Sequence, residues 1–254
     1  MKELPAGPPP GGLRHYLAVT RGPWYGFVCA LPLLLTYQVL IWALHPNVIN
    51  GGDAILRSVL LPLFQLVGWR SRESAFLVLL AASGVICWLG HRAAYGREGG
   101  LRGGYLAAML AESGVYAVFF GTVVNAILRA VLPTGLQIGA AHGSPILSVT
   151  LALGAGIYEE LVFRVLLMGG LALLFNRGLR LGLTASWVTA ALLSSVVFSL
   201  FHYLGSAGDT FTLASFLFRF VSGAVLAALY GLRGFGVAVW THALYDVLVM
   251  LLGG

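Results

Sequence analysis

The chain has 254 residues, 59% of them hydrophobic and only 9% charged, with a net charge of +6; its mean hydropathy is +0.89. Soluble domains run at about 45–50% apolar and about 25% charged residues. A water-soluble enzyme, a disordered chain and a secreted disulfide scaffold are therefore excluded, which leaves a polytopic helical membrane protein. The apolar runs are long and unbroken, unlike the alternating strands of a membrane β-barrel, and the basic residues are scattered singly across loops, unlike a nucleic-acid surface.

Residues 1–22 open with MKELPAGPPPGGL, rich in Pro and Gly and without the apolar stretch of a signal peptide; they read as a flexible tail ahead of a membrane domain over 23–254. Apolar helical spans are expected at 23–44, 74–90, 105–132, 146–174, 183–204, 212–231 and 234–252. Cys29 and Cys87 lie inside apolar runs and form no redox pair. Trp24, Tyr25, Trp42, Trp187 and Tyr203 fall near span ends, as an aromatic belt does. His91 and His142 are expected in or near loops, in contact with solvent.

The stretch 55–69, ILRSVLLPLFQLVGW, contains Arg57 and Pro62 and is short of the roughly 20 residues that a crossing needs. If it does not cross, and the N-terminus is cytoplasmic, the inner side holds Lys2, Arg14, Arg21, Arg92, Arg97, Arg102, Arg177, Arg180 and Arg233. The outer side then holds only Arg57, Arg70 and Arg72. If it crosses, that bias vanishes. The positive-inside rule therefore favours about seven transmembrane helices plus one interfacial or re-entrant helix at 55–69. The loops 133–145 and 205–211 carry no Lys or Arg, as outer loops should. A bacterial inner membrane is the expected location, with membrane lipid as surroundings and no nucleic-acid partner.

Charges at membrane depth cost at least about 2.5–3.5 kcal/mol each, so those present are functional candidates. The span 146–174 contains IYEELVFR, with Glu159, Glu160 and Arg164. Glu160 and Arg164 are four residues apart on one face and neutralise each other. Glu159 projects about 100° away from that face. It is a candidate proton acceptor or metal ligand, or else a spare carboxylate facing water. The span 183–204 ends in FSLFHYL with Phe198 and His202; the last span contains WTHALYD with His242 and Asp246. His202 alone reads as an interfacial histidine. His242 and Asp246 share a helix face and could be a packing hydrogen bond, an oriented imidazole or metal ligands. Taken together, the three clusters form a general-base or metal-site set. Glu112 and Arg129 are too far apart on one span to pair directly, and Arg219 is expected to snorkel.

The order Glu159-Glu160-x-x-x-Arg164, Phe198-x-x-x-His202, His242-x-x-x-Asp246 resembles the CAAX-processing and bacteriocin-processing (CPBP, Abi) family of intramembrane proteases, over about 145–250. The first 140 residues carry no matching motif. The resemblance implies an endopeptidase acting on a membrane-associated, prenylated or leader-type peptide or protein. Glu159 would activate the attacking water, His202 would hold it, and His242 with Asp246 would stabilise the oxyanion. Glu160 and Arg164 would fix the motif helix. The family is usually described as metalloproteases, which would make Glu159, His202, His242 and Asp246 ligands of one divalent metal, Zn²⁺ first, although a metal-free glutamate mechanism has also been argued for the CAAX enzymes. Asp246 stands where those enzymes have Asn; to tolerate an oxyanion it must be protonated, paired with His242 or metal-bound. The alternative is a catalytically silent scaffold or bacteriocin-immunity-type protein on the same fold. A proton-coupled carrier is the third reading, and the lack of an internal repeat weighs against it. Oligomeric state is not encoded in any pattern found. Straight helices would leave His202 near the outer edge and His242 nearer the inner one, so the site requires a tilt or break in 183–204, or shifted span ends.

Overall fold

The computed structural model describes residues 12–44, 49–66, 72–96, 100–131, 144–205 and 208–252; residues 1–11, residues 132–143 with His142, and Arg70 and Arg97 lie outside them. Among the described residues the fold is all-helical, as expected of an all-α polytopic membrane protein. The helices are α1 (Gly12–Thr20), α2 (Pro23–Leu44), α3 (Gly51–Leu66), α4 (Arg72–Tyr95), α5 (Gly103–Val131), α6 (145–178), α7 (Leu183–Phe201), α8 (Leu213–Arg233) and α9 (Phe235–Leu252). Five of these, α2, α4, α5, α7 and α8, are long and apolar enough to cross a membrane by length and composition. The other two expected spans are also helical. α9 is shorter, and α6 alternates α-type turns with π-type turns at Ala155–Glu159, Leu161–Met168 and Leu174–Gly178.

α9 is the centre of the bundle, in contact with α2, α5, α6 and α8. Val237, Ala238, Val239 and Ala243 are fully buried. A helix enclosed this way has to be apolar all round, which explains why its sequence shows no polar face beyond the motif residues. Lipid supplies little drive for helix association, so small residues at the contacts matter. Gly156 of α6 is such a contact: a Cβ there would lie 2.6 Å from Ala243 Cβ and 2.7 Å from the Val239 carbonyl oxygen. α7 packs between α6 and α8.

Three expectations are corrected by this packing. Residues 12–20, read as flexible tail, form α1, because its residues answer a buried ion pair. Arg233 of α8, itself buried, donates to both carboxylate oxygens of Glu112 on α5, at 2.5 and 2.8 Å, and to Thr20 Oγ1 at 3.2 Å. Tyr16 Oη donates to Glu112 at 2.7 Å, and its ring lies 5.1 Å from the guanidinium. Burial, and then the Glu112 carboxylate, hold the Tyr16 phenol well above its ordinary range, so it remains a donor. Tyr25, expected in the belt, is a core residue. Its oxygen donates to the Gly100 carbonyl at 3.3 Å and accepts from Arg102 N–H at 2.9 Å, whereas Trp42 and Trp187 are exposed. His91 is a buried residue of α4, its ring 5.8 Å from that of Tyr25 and 4.9 Å from that of Tyr95.

The expected short helix at 55–69 begins earlier, at Gly51. Its 16 residues span about 24 Å at 1.5 Å each, short of a hydrocarbon core about 30 Å thick. Its first turn is inserted in the bundle, with Asp53 buried and bonded to Tyr37 and Arg57, while Leu63 and Leu66 farther along are exposed.

Two outcomes are expected in detergent unfolding experiments. Glu112→Gln leaves the buried Arg233 without its counter-ion and lowers stability by about 3–5 kcal/mol; Arg233→Met costs less, because Glu112 keeps the Tyr16 and Tyr116 hydroxyl donors, and the double variant recovers part of the Glu112→Gln loss. Gly156→Ala overpacks the α6–α9 contact and costs about 1–3 kcal/mol, whereas Gly170→Ala on the same helix, where a Cβ meets nothing within 4 Å, is neutral or mildly stabilising.

Candidate active site

All six singled-out ionisable residues converge. α6 carries Glu159 and Arg164 in two π-type stretches with Glu160 at the junction between them, a local widening often found at functional sites. All three are buried, Glu160 and Arg164 almost completely. Arg164 Nε lies 3.3 Å from Glu160 Oε2, as the four-residue spacing predicts. Arg164 Nη2 donates to the Gly223 carbonyl of α8 at 3.2 Å, and its Cζ sits 4.5 Å from the centre of the Phe198 ring. The Phe of the F-x-x-x-H motif is thus the aromatic floor under a buried cation.

The other oxygen of Glu160 reaches α9: Oε1 is 2.9 Å from His242 Nδ1. A carboxylate can only accept, so Nδ1 carries the proton and Nε2 faces Asp246 Oδ2, 3.5 Å away. His202 follows the last residue of α7. Its Nδ1 lies 2.8 Å from the Phe198 carbonyl oxygen, which again can only accept. Nε2 of His202 is therefore left toward Glu159 Oε2, at 4.0 Å. Each imidazole has one nitrogen committed to the scaffold, which sets its ring orientation and, for His202, its tautomer. The Phe198 ring meets those of Phe163, His202 and His242 edge-on, at 5.3, 4.9 and 6.2 Å.

α7 is unbroken to Phe201. Of the three ways expected to bring His202 and His242 together, a break is therefore not used; α7 ends at Phe201 rather than 204, and His202 meets Glu159 while His242 meets the adjacent Glu160.

Glu159, His202, His242 and Asp246 line one cavity of about 200 Å³, walled by Phe120, Phe198, Phe218 and Tyr245. That is room for a few water molecules or one substrate backbone segment. Among the described residues no three His, Cys, Asp or Glu side chains are gathered closely enough to hold a metal ion; both nitrogens of His242 are already faced by carboxylates.

Three lining or neighbouring residues were not legible as part of this site. Arg219, expected to snorkel, lines the cavity and is held by Asp209 and by Tyr203 Oη, the latter at 3.0 Å. Ser222, on the same helix as Arg219, also lines it, and its Oγ is buried without a hydrogen-bond partner. Asn50 donates from Nδ2 to Glu159 Oε1 at 2.9 Å. The N-G-G-D run of residues 50–53, an Asn before a helix, is the one signal that could have drawn attention to it.

Residues 141–248, which include α6, α7, α8 and most of α9, match a family model described as Type II CAAX prenyl endopeptidase Rce1-like. No curated protein matches the chain, and no solved structure does. The chain therefore carries, over residues 141–248, a domain of the Rce1-like CAAX endopeptidase family, embedded in an integral membrane fold.

Proposed function

We propose that the chain is an intramembrane endopeptidase in which Glu159 activates water against a peptide carbonyl. The observation that carries this reading is that one oxygen of a buried carboxylate is held by Asn50 while the other faces a histidine across a small, partly open cavity. A water seated between Glu159 Oε2 and His202 Nε2 loses its proton to Glu159 as its oxygen bonds to the substrate carbonyl carbon. The carbonyl oxygen becomes an oxyanion. His242 acts here as the imidazolium: its Nδ1–H is committed to Glu160 and its Nε2–H is offered to that oxyanion, with Asp246 beside it as the balancing group. Glu159 then returns its proton to the amide nitrogen, the C–N bond breaks, and a carboxylic acid and an amine leave. Glu160 and Arg164 touch no substrate in this scheme; they hold His242 and Phe198 in place.

The family match supports a CAAX-type substrate, a peptide presented from the membrane with an isoprenoid attached. The arginine bias of the loops supports a cytoplasmic N-terminus, and the shortness of those loops fits a bacterial inner membrane. The donor spacing favours a metal-free reaction. If a divalent ion were bound, Glu159, His202, His242 and Asp246 are the residues to hold it, and it would supply Lewis acidity to the water.

The decisive comparison is of peptide termini in native membranes carrying wild type or Glu159→Gln at matched abundance. Termini made by wild type and reduced at least 100-fold in the variant are expected; identical termini would make a silent scaffold the better account. Cleavage by the purified chain in liposomes is also expected to persist in EDTA and 1,10-phenanthroline. A loss reversed by added Zn²⁺ would overturn the metal-free assignment.

A further inference from the structure

We propose that Asn50, outside the family-matched segment, is the positioning residue of the Glu159 carboxylate, delivered to the site by the N-terminus of α3. The inference rests on the reading of Glu159 as the base.

Every atom that determines the orientation of Asn50 is committed. Its backbone carbonyl accepts from Ala54 N–H at 3.0 Å, and its Oδ1 accepts from Gly52 N–H at 2.8 Å, which makes it the N-cap of α3. With Oδ1 used by the cap, the amide can present only Nδ2 to Glu159, at 2.9 Å. Asn50 is itself buried. The N-terminus of α3 cannot drift, because it lies backbone to backbone on α6. A Cβ on Gly52 would be 2.8 Å from the Tyr158 carbonyl carbon and 2.9 Å from the Glu159 nitrogen. Asp53, one residue further, is fixed by Tyr37 Oη at 2.8 Å and Arg57 Nε at 2.7 Å.

The consequence is geometric. A Glu side chain has three torsions, and Glu159 has no partner on its own helix. Holding Oε1 through Asn50 leaves Oε2 as the oxygen facing His202 and the cavity. A charge-assisted hydrogen bond of this kind is about twice as strong as a neutral one, and its loss frees the base to rotate out of reach of the water.

Capping and positioning are separable by substitution. Asp is as good an N-cap as Asn, so Asn50→Asp keeps the bond to Gly52 N–H. It loses the donor to Glu159 and sets a second carboxyl group against the first. Asn50→Ala loses both cap and donor. The test uses the full chain in liposomes and a peptide spanning a native terminus that depends on Glu159. Asn50→Ala is expected to lower kcat at least about tenfold. Asn50→Asp, which keeps the cap, should nevertheless lower kcat further than Asn50→Ala does, with KM within about twofold. The activity order Asn, Ala, Asp then runs against the capping order, in which Asp matches Asn and Ala is worst. Wild-type kcat in Asn50→Asp, with Glu159→Gln inactive, would overturn the assignment while leaving the base intact. If no terminus depends on Glu159, the endopeptidase reading falls and this inference falls with it.

Discussion

A guanidinium sealed inside a membrane bundle needs opposite charge close by, and Arg164 organises the rest of the site by that requirement, although its Nη1 has no hydrogen-bond partner among the described residues. One face meets Glu160, one tip meets the Gly223 carbonyl and the flat side lies on Phe198. These contacts come from α6, α8 and α7, so a single cation ties three helices together. Glu160, drawn in to neutralise Arg164, has a second oxygen to satisfy and reaches His242 on α9. The pair is therefore part of the scaffold of the site. Replacing it by apolar residues would remove the desolvation cost but would also release the imidazole and the phenyl ring that the two charges orient.

Glu159 is treated in the opposite way. Its neighbour in sequence is enclosed by opposite charge, whereas Glu159 has one neutral donor, Asn50, and one imidazole across a gap. A carboxylate held this loosely retains lone pairs for a proton transfer. The difference follows from helix geometry: adjacent residues point about 100° apart, so one faces the structural cluster and the other faces the cavity.

The same logic recurs at the other end of the bundle. Glu112 and Arg233 are an isolated acid and base on α5 and α8, and their meeting recruits Tyr16 and Thr20 and so orders α1. Composition alone cannot reveal this. A Pro/Gly-rich opening reads as unstructured, and the partner that holds the following turn lies more than 200 residues away in sequence.

Membrane residence, helix positions and the three motif clusters were legible in the sequence because each is local. Hydropathy is additive along a segment, and an ionisable residue in an apolar run is conspicuous wherever its partners lie. The four-residue spacings also foretold the Glu160–Arg164 and His242–Asp246 contacts, since a helix puts such residues on one face. What the tertiary structure alone decided was which helix face meets which: an unbroken α7 that brings His202 to Glu159, Glu160 rather than Asp246 as the closer partner of His242, and Asn50 beside Glu159. Tyr25 and His91 became core residues for the same reason. These outcomes depend on interhelical approach distances, set by small residues such as Gly52 and Gly156, and no periodicity within one segment encodes the neighbour against which that segment will pack.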